Sequence, residues 1–87
     1  MKADKKKMER LVKTARGQLD GILRMMEEDR YCIDISNQLL ATQAILSRVN
    51  REVLAAHMEH CMKEAIQDGR SEETIAELMA VLEKAMK

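Results

Sequence analysis

Between Tyr31 and Gln67 the sequence contains neither glycine nor proline, and strong helix formers recur throughout. One α-helix over this stretch would be roughly 55 Å long at 1.5 Å per residue. Ile35, Leu39, Leu46, Val49, Val53 and Ala56 give it an apolar stripe, widened by Ile33, Leu40, Ala44 and Ile45. A compact domain of this size is only about 26 Å across. Two short partner helices cannot cover so long a stripe. The sequence therefore predicts an obligate oligomer, in which a second chain covers the rest.

The remainder of the chain is helical too. With 3 glycines, no proline, no phenylalanine and no tryptophan, the turns and aromatic residues that a sandwich or barrel needs are missing. A hydrophobic content of 46% excludes intrinsic disorder. No apolar run is long enough to span a membrane and the charged start (Met1 to Lys13) is no secretory signal, so a soluble cytoplasmic protein is expected. Before the long helix, Met8, Leu11, Val12, Ala15, Leu19, Ile22 and Met26 define an amphipathic helix. Gly17 and Gly21 share one of its faces, where another backbone could approach closely. This helix should weaken around Glu28–Arg30, with Asp29 as the N-cap of the next. Asp68-Gly69-Arg70-Ser71 supplies the second stop, with Gly69 just past the helix end and Ser71 capping a third helix over Glu72 to Met86. Ile75, Leu78, Met79, Leu82 and Met86 line one face of it. The fold class is all-α: three helices in a single domain over residues 1–87.

Net charge is zero, yet its distribution is uneven. Residues 1–16 carry seven basic residues (Lys2, Lys5, Lys6, Lys7, Arg10, Lys13, Arg16) against Asp4 and Glu9, while residues 52–87 carry four basic against eight acidic ones. This asymmetry fits a basic face that meets nucleic acid, and equally a lysine-rich end that is simply solvated.

The reactive side chains are few. His57 and Cys61 are four apart and project from the same side of a helix, so they can chelate. A buried cysteine beside an exposed histidine would give the same pattern. His60 faces elsewhere. Cys32 lies roughly 43 Å from Cys61 along the same helix, so the two cannot meet within one chain. If two long helices pack antiparallel about a two-fold, setting Cys32 opposite His57 and Cys61 puts the axis near Ile45 and Leu46, the centre of the apolar stripe. Two symmetric sites follow, each with Cys32 from one chain and His57 plus Cys61 from the other. Two thiolates and an imidazole form a soft three-donor set that suits Cu(I), whereas structural zinc would want a fourth ligand. The same thiols could alternatively serve redox chemistry, one attacking and one resolving. Met58 and Met62 lie nearby, but methionines at helical spacing usually fill core. No nucleophile–base set or phosphate loop points to an enzyme.

The stretch Arg16-Gly17-Gln18-Leu19-Asp20-Gly21-Ile22, then Met25 through Ile35, then His57-Met58-Glu59-His60-Cys61, resembles the copper-sensing operon repressor (CsoR) family over nearly the whole chain. The copper branch of that family has Cys, His and Cys at the spacing of Cys32, His57 and Cys61. The resemblance implies antiparallel dimers that pair into a tetramer, and a repressor that binds operator DNA when metal-free and leaves it when Cu(I) binds. It places Tyr31 and Glu77 beside the histidine ligand, coupling the third helix to the site. It places the DNA surface on the first helix and the middle of the second. Lys13, Arg16, Arg48 and Arg51 match basic positions there, and Lys7 and Arg10 are plausible additions. A basic residue that the family often carries early in the first helix falls here at Leu11.

Other branches fit less well. A sulfur-stress repressor would use Cys32 and Cys61 as a persulfide or disulfide switch but lacks the histidine. A nickel or cobalt sensor would want further histidines, and a formaldehyde sensor lacks the second cysteine. A copper buffer that never touches DNA would not need the basic first helix.

Overall fold

The computed structural model describes residues 1–85; Met86, expected on the apolar face of the third helix, and the side chain of Ser71, expected as its cap, lie outside that description. Three helices follow in order: α1 (Lys5–Glu27), α2 (Cys32–Asp68) and α3 (Ser71–Ala85). Asp4 caps α1, its side chain accepting the Lys7 backbone N–H at 3.1 Å. Asp29 does not cap α2. It ends α1 instead, with a left-handed backbone (φ 51°). Its N–H donates to the Met26 carbonyl at 3.1 Å, and the Arg30 N–H donates to Met25 at 2.9 Å. Aspartate tolerates this conformation better than most residues, and the paired bonds satisfy carbonyls that the helix end leaves open. The N-cap of α2 is Tyr31, which makes no side-chain capping bond. Gly69 closes α2 as expected, with φ 73° and both its own N–H and that of Arg70 donating to the Ala65 carbonyl. α3 opens at Ser71 itself, one residue earlier than the capping pattern suggests.

α2 is the spine. α1 folds back antiparallel along it and α3 returns along its C-terminal half; among the described residues α1 and α3 make no packing contact with each other. The result is a slab of 57 × 28 × 13 Å, one helix thick. Its radius of gyration, 17.4 Å, well exceeds the roughly 12–13 Å of a compact chain this long. The accessible surface is 6908 Å², against about 5,200 Å² for a compact monomer of this mass.

The core explains the excess. Only Met8, Ala15, Ile22, Ala65 and Leu78 are buried apolar side chains among the described residues. The α1–α2 seam takes the first three. It also holds Thr42, whose buried hydroxyl donates to the Gln38 carbonyl at 3.1 Å and lies 2.8 Å from the Gln18 side-chain amide. The same seam carries an ion pair between Lys7 and Glu52 at 2.7 Å. The α2–α3 seam has Ala65 and Leu78. The close approach expected at Gly17 and Gly21 does not occur within the chain, because nothing lies within 4 Å of where a Cβ would stand on either.

Candidate metal centre

Helical geometry decides which side chains of α2 can act together. At about 100° per residue, Cys32, Leu39, Leu46, His57 and Cys61 fall within about 60° of one another on the helix circumference. They share one broad face of the slab. α1 extends that face with Val12, Leu19 and Leu23, on the side of the seam opposite the Lys7–Glu52 pair. These five apolar side chains are 39–59% exposed, a concentration that a lone chain leaves uncovered.

His57 and Cys61 meet on this face. The Cys61 Sγ is 3.2 Å from His57 Nε2 and 3.7 Å from Nδ1. A metal 2.0–2.3 Å from a sulfur and a nitrogen would set them roughly 3.6 Å apart, so the pair is already at chelating distance. One thiol and one imidazole at that spacing are donors that soft and borderline metals take. Cys32 is exposed at the opposite end of α2, and within one chain it does not join the pair. Among the described residues no three potential ligands cluster within a chain.

α3 roofs one side of the pair. His57, Cys61, Glu64, Arg70, Thr74, Glu77 and Leu78 line a cleft of about 230 Å³. Glu77 thus sits beside His57 and Cys61, whereas Tyr31, 68% exposed, stands next to Cys32 at the far end of α2. Glu64 and Arg70 are additions to the expected set. Glu64 follows Cys61 by three residues, a spacing that could have flagged it. Arg70 reaches the cleft only because Gly69 reverses the chain. It also pairs with Asp68 at 3.0 Å. His60 faces elsewhere, with its side chain 41% exposed and its Nε2 3.0 Å from Glu64, and lines a shallow cleft with Lys2, Ala56, Glu59 and Lys63.

The six basic candidates do not form one patch within the chain. Lys7, Arg10, Lys13 and Arg16 step by three residues, so each is displaced about 60° from the last and together they wind half-way around α1. Arg16 and Lys13 edge a groove with Met8, Val12, Val49 and Val53. Arg51 lines a separate groove between α2 and α3, with Leu54, Met58 and Leu82. Lys7 and Arg48 meet on the other broad face, through Glu52, with Nε of Arg48 3.5 Å from its carboxylate. Residue order alone does not flag Glu52, because its tie to Lys7 depends on the hairpin register.

The one-layer helical slab carries an adjacent Cys–His pair on an uncovered apolar face. Residues 4–84 match the family described as metal-sensitive transcriptional repressors, and the chain belongs to that family, whose members are regulators and not enzymes. It is 52% identical over 68 residues to the copper-sensing transcriptional repressor CsoR of Mycobacterium ulcerans (78% of this chain, 58% of that one). It is 42% identical over 76 residues to the CsoR of Bacillus subtilis (87% of this chain, 75% of that one). The chain thus spans little more than half the length of the mycobacterial relatives it matches. A crystal structure of the copper-sensing repressor CsoR with Cu(I) from Geobacillus thermodenitrificans superposes with a TM-score of 0.85 at 37% identity, covering all of this chain and 94% of the other. The nickel-responsive transcriptional regulator InrS superposes with 0.83 at 28% identity, over 98% and 96% of the two chains. No helix among the described residues is long and apolar enough to cross a membrane.

Proposed function

We propose that this chain is a cytoplasmic Cu(I)-sensing repressor that binds operator DNA when metal-free and releases it when the metal is bound. The observation that carries the reading is the shared face of α2: Cys32, His57 and Cys61 lie along it with Leu39 and Leu46 between them. Pairing two such faces antiparallel covers the exposed leucines and brings Cys32 of one chain to His57 and Cys61 of its partner. Two such dimers pair into a tetramer, as the family resemblance implies. Since a nickel-responsive relative shares the fold, the fold does not choose the metal. The donors do, and two thiolates with one imidazole favour Cu(I) over harder ions.

Bound Cu(I) would supply a soft, thiolate-rich link between the two chains. Cys32 and Cys61, as thiolates, and a neutral ring nitrogen of His57 would hold it, so binding would release protons. The other ring nitrogen is left for a hydrogen bond, and Glu77 of α3 stands in the same cleft to receive it. Tyr31, next to Cys32, meets this arrangement from the partner's end. Drawing Glu77 toward His57 moves α3, which has few other ties to α2. Lys7, Arg10, Lys13, Arg16, Arg48 and Arg51 contact phosphates, positioning the duplex and making binding salt-dependent. Metal and DNA are then coupled reciprocally: whatever factor Cu(I) imposes on DNA affinity, DNA imposes on Cu(I).

The test is an anaerobic Cu(I) titration of reduced protein against a strong competing chelator, followed by fluorescence anisotropy on DNA. One tight Cu(I) per chain, lost in Cys32→Ala, and DNA release that disappears in His57→Ala, are the expected results. Weak or substoichiometric binding refutes the copper reading and directs attention to persulfide or disulfide formation between Cys32 and Cys61.

A further inference from the structure

Lys7 and Arg48 converge on a single carboxylate. Glu52 Oε1 accepts from Lys7 Nζ at 2.7 Å, and Oε2 lies 3.5 Å from Arg48 Nε. Lys7–Glu52 is the one ion pair among the described residues that joins two helices; the others lie within one helix or one turn. Oε2 is shielded from solvent and has no hydrogen-bond partner, while the Glu52 side chain as a whole is 34% exposed, so the carboxylate sits between its cations at the surface. Lys7 and the neighbouring Arg48 hold the Glu52 carboxyl below its ordinary range. The two cations themselves remain accessible, at 41% and 52% exposure. Lys7 and Glu52 line a cleft of about 370 Å³ together with Lys2 and Asp4. By contrast, Arg10, Lys13, Arg16 and Arg51 make no ion pair among the described residues.

We infer that Glu52 is an internal competitor for DNA phosphate, occupying Lys7 and Arg48 until a phosphate replaces it. The inference rests on the DNA-binding reading above and adds a residue that sets its strength. A carboxylate and a phosphate diester oxygen offer the same chemistry to an ammonium and a guanidinium. When phosphate displaces Glu52, the freed carboxylate takes up a cation, which offsets part of the counterion release from the DNA that supplies much of the binding free energy. Glu52 therefore lowers affinity and flattens the salt dependence. Such a brake keeps binding weak enough for a modest change in the assembly to end it.

The experiment uses a fluorescein-labelled duplex that the wild-type protein itself selects from random-sequence DNA. Glu52→Gln keeps the side-chain shape and removes the charge. It is expected to tighten DNA binding by about 2- to 10-fold at low salt, the range for releasing exposed ion pairs. The log–log salt slope is expected to steepen by up to about 1 per chain, because no freed carboxylate is left to take up a cation. Lys7→Ala is expected to weaken DNA binding in the wild type, and by several-fold more in the Glu52→Gln background. Circular dichroism and the oligomeric state confirm that each variant is folded, and Glu52→Asp, which keeps the charge, serves as a second variant should Glu52→Gln not assemble. It is expected to keep the wild-type slope, and a steepened slope there overturns the inference. Weaker binding in folded Glu52→Gln, or an unchanged slope, also overturns it: Glu52 would then merely position the helices, or its cations would not meet phosphate. If the wild type selects no DNA at all, the DNA-binding reading fails as well, and the two failures are told apart.

Discussion

The two seams along α2 are built differently. Between α1 and α2, Met8, Ala15 and Ile22 are buried, Thr42 is bonded across to Gln18, and Lys7 is tied to Glu52. Between α2 and α3 the buried contacts are Ala65 and Leu78, and no side-chain hydrogen bond or ion pair joins the two helices among the described residues. The adjacent pair His57–Cys61 opens onto the second seam, not the first. The basic residues are carried mostly by the first. A firm hairpin thus presents charge, while a loosely held helix overlies the proposed sensor. Elements that move in regulation are drawn from the less stable parts of a fold, and α3 qualifies.

Breaking either seam should have different consequences. Ile22→Ala is expected to cost about 2–5 kcal/mol and to destabilise the whole hairpin in chemical denaturation. Leu78→Ala should instead free α3 while α1 and α2 keep their amide protection in hydrogen exchange. If Leu78→Ala unfolded the chain as fully as Ile22→Ala, the contrast between the seams would be wrong. Glu77→Gln sharpens the comparison from the sensor side. Losing its charge next to His57 should weaken Cu(I) retention about 10- to 100-fold in chelator competition, with hairpin stability unchanged. The smallest effect is expected from acid. Because Lys7 lowers the Glu52 pKa, the pair stabilises the fold above the ordinary carboxylate range and is lost as pH falls through the lowered value. Acidification to below the ordinary carboxylate range should therefore loosen α1 from α2 more in the wild type than in Glu52→Gln, as followed by exchange at α1 amides.

Much of this was legible in the sequence, and the exceptions have a common cause. The unbroken run that forms α2, and Gly69 as its stop, depend on local propensity and appear directly in residue order. The spacing of His57 and Cys61 is likewise local. Asp29 was misread because an aspartate between two helices serves either neighbour, and only the backbone, turning left-handed there, decides which. Leu19 and Val12 fit the stripe of α1 but stay largely exposed, since a chain one layer thick has nothing to bury them. Periodicity marks which side chains seek burial, not whether their cover lies in the same molecule. Glu52, Arg70 and the scattering of the basic residues depend on hairpin register and on a chain reversal. Neither can be read from spacing along one helix.

The central claim is that the metal site is completed across two chains. Cys32→Ala keeps His57 and Cys61, and the double variant His57→Ala/Cys61→Ala keeps Cys32, so neither can build a site with its own copies. Co-refolding the two in equal amounts and titrating with Cu(I) under a competing chelator tests the claim directly. Mixed dimers are expected to regain one tight site each, while the separate variants have none. No recovery on mixing, with mixed dimers verified by mass spectrometry, would contradict it.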